Sequence, residues 1–192
     1  MSDSSFVSLV AHPNTTNESV RRLAACVEWV GPDLLRFQYV LEASRGRVRL
    51  PPPAANAGRA DELWKHTCFE AFVGAPQSPG YLELNFSPSG EWGAYRFDSY
   101  RQGMLPAPLD TAPRLALRRE AQRLELQAEV RLHGTEAAGG RSLRIALSAV
   151  VEDGEGRLSY WALRHPSGRP DFHHPDSFAL ALELRSNPLN SQ

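Results

Sequence analysis

The stretch Leu124-Glu125-Leu126-Gln127-Ala128-Glu129-Val130-Arg131 decides the fold. Its apolar residues alternate with polar ones, a period of two that gathers Leu124, Leu126, Ala128 and Val130 on one face of a strand. In a helix the same pattern would scatter them around the axis. The alternation recurs in Leu35, Phe37, Tyr39 and Leu41, in Leu82, Leu84 and Phe86, in Leu143, Ile145 and Leu147, and in Phe178, Leu180, Leu182 and Leu184. Turn chemistry separates the runs at Gly31-Pro32-Asp33, Ser87-Pro88-Ser89-Gly90 and Asp153-Gly154-Glu155-Gly156. Working outward gives strands near 5–11, 22–30, 34–42, 47–50, 67–74, 81–86, 92–98, 114–118, 123–132, 142–151, 157–163 and 178–184. About eleven or twelve short strands with little helix predict an all-β protein, an antiparallel two-sheet β-sandwich of the immunoglobulin- or jelly-roll-like kind. Only 20–26 could begin as a helix instead.

Successive connections in such a sandwich alternate between its two ends. On this count 74–80, 99–113, 133–141 and 164–177 share one end. The tight turns at 31–33, 87–90 and 152–156, with the long 51–66 segment, share the other. Long loops in compact domains carry function, so each end is a candidate mouth.

The 192 residues, 42% hydrophobic and 22% charged, have ordinary globular composition and a length suited to one domain over 1–192, with an ordered core of about 5–185. Pro51-Pro52-Pro53 and the residues that follow read as a loop, because the strands before them are too few to stand alone. The residues from Ser186 onward are expected to fray. The 21 basic and 22 acidic residues are spread evenly, which argues against a nucleic-acid or anionic-membrane partner. No run approaches the ~20 apolar residues of a membrane span. Met1-Ser2-Asp3-Ser4-Ser5 lacks the charge and apolar core of a secretory signal. Cys26 and Cys68 are too few for a disulfide framework and too far apart for a zinc-binding pair, so a cytoplasmic protein with reduced, buried thiols is expected.

The chemically richest stretch is 61–101. In Cys68-Phe69-Glu70-Ala71-Phe72 a carboxyl sits inside a strand, and the next strand puts Tyr81, Glu83 and Asn85 on one face. Trp64, His66, Trp92 and Arg101 flank these strands. Indole faces stack on the C–H faces of a pyranose, while carboxyl and amide groups bond neighbouring hydroxyls, so a polar small molecule such as a sugar suits this surface. The same groups could equally satisfy structure: Glu70 through an arginine, Asn85 in a turn, Trp92 in the core.

Glu62-Leu-Trp-Lys-His-Thr-Cys-Phe-Glu-Ala-Phe72, followed by Tyr81-Leu-Glu-Leu-Asn-Phe-Ser-Pro-Ser-Gly-Glu-Trp-Gly-Ala-Tyr95, resembles a bacterial DOMON-like domain, a group similar to type 9 carbohydrate-binding modules. The resemblance covers about forty residues. It implies a non-catalytic β-sandwich whose relatives bind sugars or, in another branch, haem. It puts Trp64 at a stacking position and Glu70 and Asn85 at polar strand positions. The second stacking tryptophan it calls for has one late candidate, Trp161, which shares a strand face with Leu163 and could be core. Haem would need an axial Met and His, and beyond Met1 the chain has only Met104.

His165, His173 and His174 with Asp171 and Asp176 invite a metal reading, with His173, His174 and Asp176 as candidate ligands, although neighbouring histidines in a proline-rich loop need not converge. Glu70 and Glu83 have the residue types of a glycosidase acid/base pair at unknown separation. The leading expectation is a cytoplasmic, cofactor-free module that binds a small polar ligand without turnover. Its site would comprise Trp64, His66, Glu70, Asn85 and Trp92, with Arg101 and Trp161 at its margin, and His66 supplying a pH-sensitive contact. The alternatives are a module that meets another protein through an exposed sheet face, a metal- or haem-binding protein, and an enzyme using Glu70, His66 or a metal.

Overall fold

The computed structural model describes residues 5–15, 18–132 and 142–184. It is an antiparallel sandwich of two sheets. The smaller sheet contains β1 (Val7–Ser8), β3 (Val20–Trp29), β4 (Leu34–Ala43), β10 (Arg114–Arg119) and β11 (Arg123–Arg131), in the order β1-β3-β4-β11-β10. The larger contains β2 (Val10–Ala11), β5 (Val48–Arg49), β6 (Cys68–Gly74), β7 (Tyr81–Phe86), β8 (Trp92–Phe97), β9 (Leu105–Pro106), β12 (Ser142–Asp153), β13 (Leu158–Ala162) and β14 (Leu180–Glu183). Its main path runs β2-β13-β12-β6-β7-β8-β9, and β5 and β14 also pair with β12. Among the described residues the only helical pieces are two 3₁₀ turns, Leu63–Lys65 and Pro175–Ser177. No helix among the described residues is long and apolar enough to cross a membrane. The stretch 20–26 is strand.

Alternation is strict where one face meets solvent. In β11 Leu124, Leu126, Ala128 and Val130 are buried while Glu125, Gln127 and Glu129 are partly exposed. The inward residues of both sheets, among them Phe37, Tyr39, Phe69, Phe86 and Leu126, form the main core. The outer face of the smaller sheet carries an Arg–Glu ladder, with Arg36 between Glu28 and Glu129 and Arg123 between Glu42 and Glu125. The edge strand β10 is exposed along most of its length and bears three arginines, which discourage edge-to-edge pairing. Cys26 and Cys68 are buried free thiols, and they lie in different sheets.

Every residue of β6 and β7 is buried. A sheet face left open would show alternating exposure, so these strands are covered on both sides. The second cover consists of loops folded over the outer face, where Phe72, Tyr81, Tyr95, Phe97 and Phe172 form a separate apolar cluster. Two connections make this possible. β5 and β6 both pair antiparallel with β12, as do β13 and β14. The chain therefore leaves and rejoins the sheet in the same direction, and 50–67 and 163–179 arch over the face instead of turning at an end.

Those two arches correct the expected assignment of loops to ends, because neither reverses the chain and the alternation count slips at each. The 31–33 turn lies beside Leu132, whose N–H bonds to Asp33 O, at the end where the 133–141 segment begins and not opposite it. Residues 133–141, and the tail from Ser186, lie outside the described residues.

Candidate ligand-binding site

The covered face holds a cavity of about 490 Å³, within the ~300–1,000 Å³ common for small-molecule sites. Its floor is the outer face of the larger sheet. Leu158 and Tyr160 come from β13, Val150 from β12, Glu70 from β6, Glu83 from β7 and Phe97 from β8. Trp64 and Lys65 on the first 3₁₀ turn, Arg101 and Met104 after β8, and Phe172 and His173 after β13 supply the walls.

A row of polar groups crosses the floor. Ser148 pairs in register with Glu70, and Glu70 with Asn85, on three adjacent strands. All three are buried, and Ser148 Oγ, Glu70 Oε1 and Asn85 Oδ1 have no hydrogen-bond partner among the described residues. Buried polar atoms are nearly always paired, and each unpaired one costs ~1–3 kcal/mol. Of the three residues Glu70 lines the cavity, and Ser148 and Asn85 flank it in the same row beneath the surface.

Burial, reinforced by the neighbouring Glu83, pushes the Glu70 carboxyl well above the usual carboxylate range. Burial also raises Glu83, opposed by a hydrogen bond from Asn85 Nδ2 to Glu83 Oε1 at 2.8 Å and by the positive charge of Arg101. The pair therefore favours a neutral Glu70 beside a better-supported Glu83. His173 Nε2 lies 3.6 Å from Glu83 Oε2. Burial first, and Arg101 second, lower the His173 imidazole to about 4, so near neutrality it faces Glu83 uncharged. Tyr81 accepts from the Arg101 N–H at 3.2 Å and donates to His173 Nδ1 at 2.9 Å, which leaves the ring proton on Nε2, towards Glu83.

Arg101 has a left-handed backbone, φ 55°, held from both sides. Its N–H bonds Tyr81, and its guanidinium bonds Asp171 Oδ1 through Nε at 3.2 Å and Nη2 at 2.8 Å. Asp171 also accepts from the Tyr100 hydroxyl and the His173 N–H. One carboxylate thus joins the 98–104 loop to the 163–179 arch. Trp64 is set by an edge-on contact with Tyr95, 5.8 Å between ring centres, and Tyr95 donates to Asp61 Oδ1 at 2.6 Å.

Of the residues the sequence singled out, Trp64, Glu70 and Arg101 line this cavity. Asn85 lies in the floor row, bonded to Glu83. The other three lie elsewhere. His66 bonds Glu152 Oε2 at 2.7 Å, where Arg49 and Thr67 complete a separate knot around β12. Trp92 pairs across from Phe86 and packs on the inter-sheet core with Arg59 over its ring. Trp161 is buried in that core, its Nε1 donating to Ser159 Oγ.

The candidate metal ligands point apart. His173 enters the cavity, whereas His174 Nδ1 accepts from the Asp176 N–H in a turn. No cluster of three or more His, Cys, Asp or Glu suited to a metal occurs among the described residues. Met104 shares the cavity with His173, but both ring nitrogens of His173 face other groups, so the axial pair that haem would need is not presented. Glu83 and His173 had sequence signals, in the Tyr81-Glu83-Asn85 face and in the histidine-rich loop. Nothing local showed that they meet.

No family model and no curated protein matches the sequence. The fold nevertheless has clear counterparts: it is the sandwich of carbohydrate-binding modules. A protein from Bacteroides uniformis, provisionally assigned as carbohydrate-binding, superposes with a TM-score of 0.68 at 14% identity over 94% of this chain and 86% of its own. A family 9 carbohydrate-binding module from Caldicellulosiruptor kristjanssonii aligns in its glucose complex with a TM-score of 0.55 at 13% identity, over 93% of this chain and 84% of that one. In its cellotriose complex the TM-score is 0.57 at 12% identity, over 99% and 87%. The likeness to type 9 modules suggested by the 62–95 motif is thus a likeness of fold across nearly the whole described chain.

Proposed function

We propose that this protein binds a sugar or a sugar-containing metabolite, without turning it over, in the cavity on the outer face of its larger sheet. The observation that carries this reading is the presence of one partly exposed indole, Trp64, and two carboxyls, Glu70 and Glu83, in the lining of one cavity. An indole offers a flat apolar face at low conformational cost, and the two carboxyls offer hydrogen-bond partners to ring hydroxyls. The sugars bound by the Caldicellulosiruptor modules support the choice of ligand class.

Binding without turnover is supported by the likeness of fold to family 9 carbohydrate-binding modules and by how Glu83 is held. Asn85 donates to one of its oxygens and His173 faces the other, so both are engaged by the protein itself. An interaction module using an open sheet face is less well supported: loops roof one outer face, and an ion-pair ladder occupies the other.

Isothermal titration with glucose, galactose, mannose and cello-oligosaccharides tests the reading. A saturable response to at least one sugar, with the sugar recovered unchanged, is the expected result. No heat and no fluorescence change across the panel would remove it.

A further inference from the structure

The cavity floor is divided along the strand order. Leu158, Tyr160 and Val150, on β13 and β12, make one half apolar, and Phe172 closes over that side. The two carboxyls, Glu70 and Glu83, belong to the next two strands. From β13 to β7 the floor spans three inter-strand spacings, roughly 14 Å. A hexose seated beside Trp64, Glu70 and Glu83 would leave the Leu158–Tyr160 half bare, where the Tyr160 hydroxyl is the single polar group among Val150, Leu158 and Phe172. Burying unpaired hydroxyls against apolar side chains is unfavourable, whereas burying hydrocarbon there gains ~25 cal/mol per Å².

We infer that the natural occupant is a glycoside with an apolar aglycone, its sugar over Glu70 and Glu83 and its hydrocarbon or aromatic portion against Val150, Leu158 and Tyr160. This rests on the sugar-binding reading and narrows it. Phe172 lies 6.1 Å from Tyr160 between ring centres, so the apolar character continues from the floor to the wall on that side.

The test compares the methyl and octyl forms of β-glucoside, β-galactoside and α-mannoside below their micelle concentrations, with a sugar-free octyl amphiphile as control. For at least one sugar the octyl form should bind ten or more times tighter than the methyl form, and the control should not bind. Leu158→Ser should reduce that ratio at least threefold. If Leu158→Ser does not fold, Tyr160→Ser at the partly exposed floor should shift the ratio in the same direction. Equal affinity for methyl and octyl forms would overturn the inference while leaving sugar binding intact. Equal binding of the control would overturn it by making the sugar irrelevant. Failure of every glycoside would remove the sugar-binding reading itself.

Discussion

His173 Nε2 lies 3.6 Å from Glu83 Oε2, two residues 90 positions apart, on an arching loop and on β7, that share one buried environment. The contact is that of a neutral imidazole N–H facing a carboxyl, because Phe72, Tyr81 and Phe97 surround the ring and the proton goes to Nε2. It links the roof of the cavity to its floor.

That environment predicts an acid-sensitive fold. His173 titrates at about 4 in the folded protein against an ordinary value near 6.5. As pH falls from 6.5 towards 4, the unfolded chain takes up this proton and the folded chain does not, so stability drops, by up to about 3 kcal/mol. His173→Gln should flatten this part of the stability–pH profile in chemical denaturation. A histidine NMR titration should show one ring with its midpoint near 4.

Glu70 carries the opposite sign. Its raised folded value means that the fold keeps a proton the unfolded chain releases near 4.5, so stability is lost as pH rises from there through the folded value. Glu70→Gln, a neutral isostere, should raise the melting temperature by a few degrees at pH 8, corresponding to about 1–2 kcal/mol, and change it little at pH 4. Calorimetry at the two pH values reads the difference.

The tryptophans should separate by role. Trp161→Ala removes a core side chain and should cost about 3–5 kcal/mol, with no sugar-specific signature. Trp64→Ala removes a cavity wall outside the main core. It should cost under about 2 kcal/mol and weaken sugar binding at least tenfold. Denaturant midpoints together with sugar titrations distinguish the two outcomes.

Asp171→Asn should loosen the roof. The substitution takes the charge from an acceptor that holds the Arg101 guanidinium, the Tyr100 hydroxyl and the His173 N–H. Charge-assisted bonds of this kind contribute ~1.5–3 kcal/mol each where they are buried, and less here because Arg101 is half exposed. Faster hydrogen exchange at 98–104 and 163–179, with the β6–β7 amides unchanged, is the expected pattern.

The strands were legible because their signal is local. The two-residue period of β4, β11 and β12 needs only the rule that successive side chains point to opposite faces, and twelve stretches could be placed from it. The first of them is split, β1 joining one sheet and β2 the other. The pair β9, two residues long, lacked enough sequence to show a period. Glu70 and Asn85 were visible as polar residues interrupting apolar strands, and Trp64 as an indole just before one.

What tertiary structure decided was which of these groups share a space. Trp92 and Trp161 have the same chemistry as Trp64, but strand register turns them into the inter-sheet core. His66 was drawn to Glu152 because β12 runs beside β6. The arches over the larger sheet depend on β12 pairing with two successive segments along each of its edges. Such pairings are set by contacts between residues far apart in the chain, which a two-residue period does not encode. Local alternation determined the strands and their faces; long-range pairing built the cavity and chose its lining.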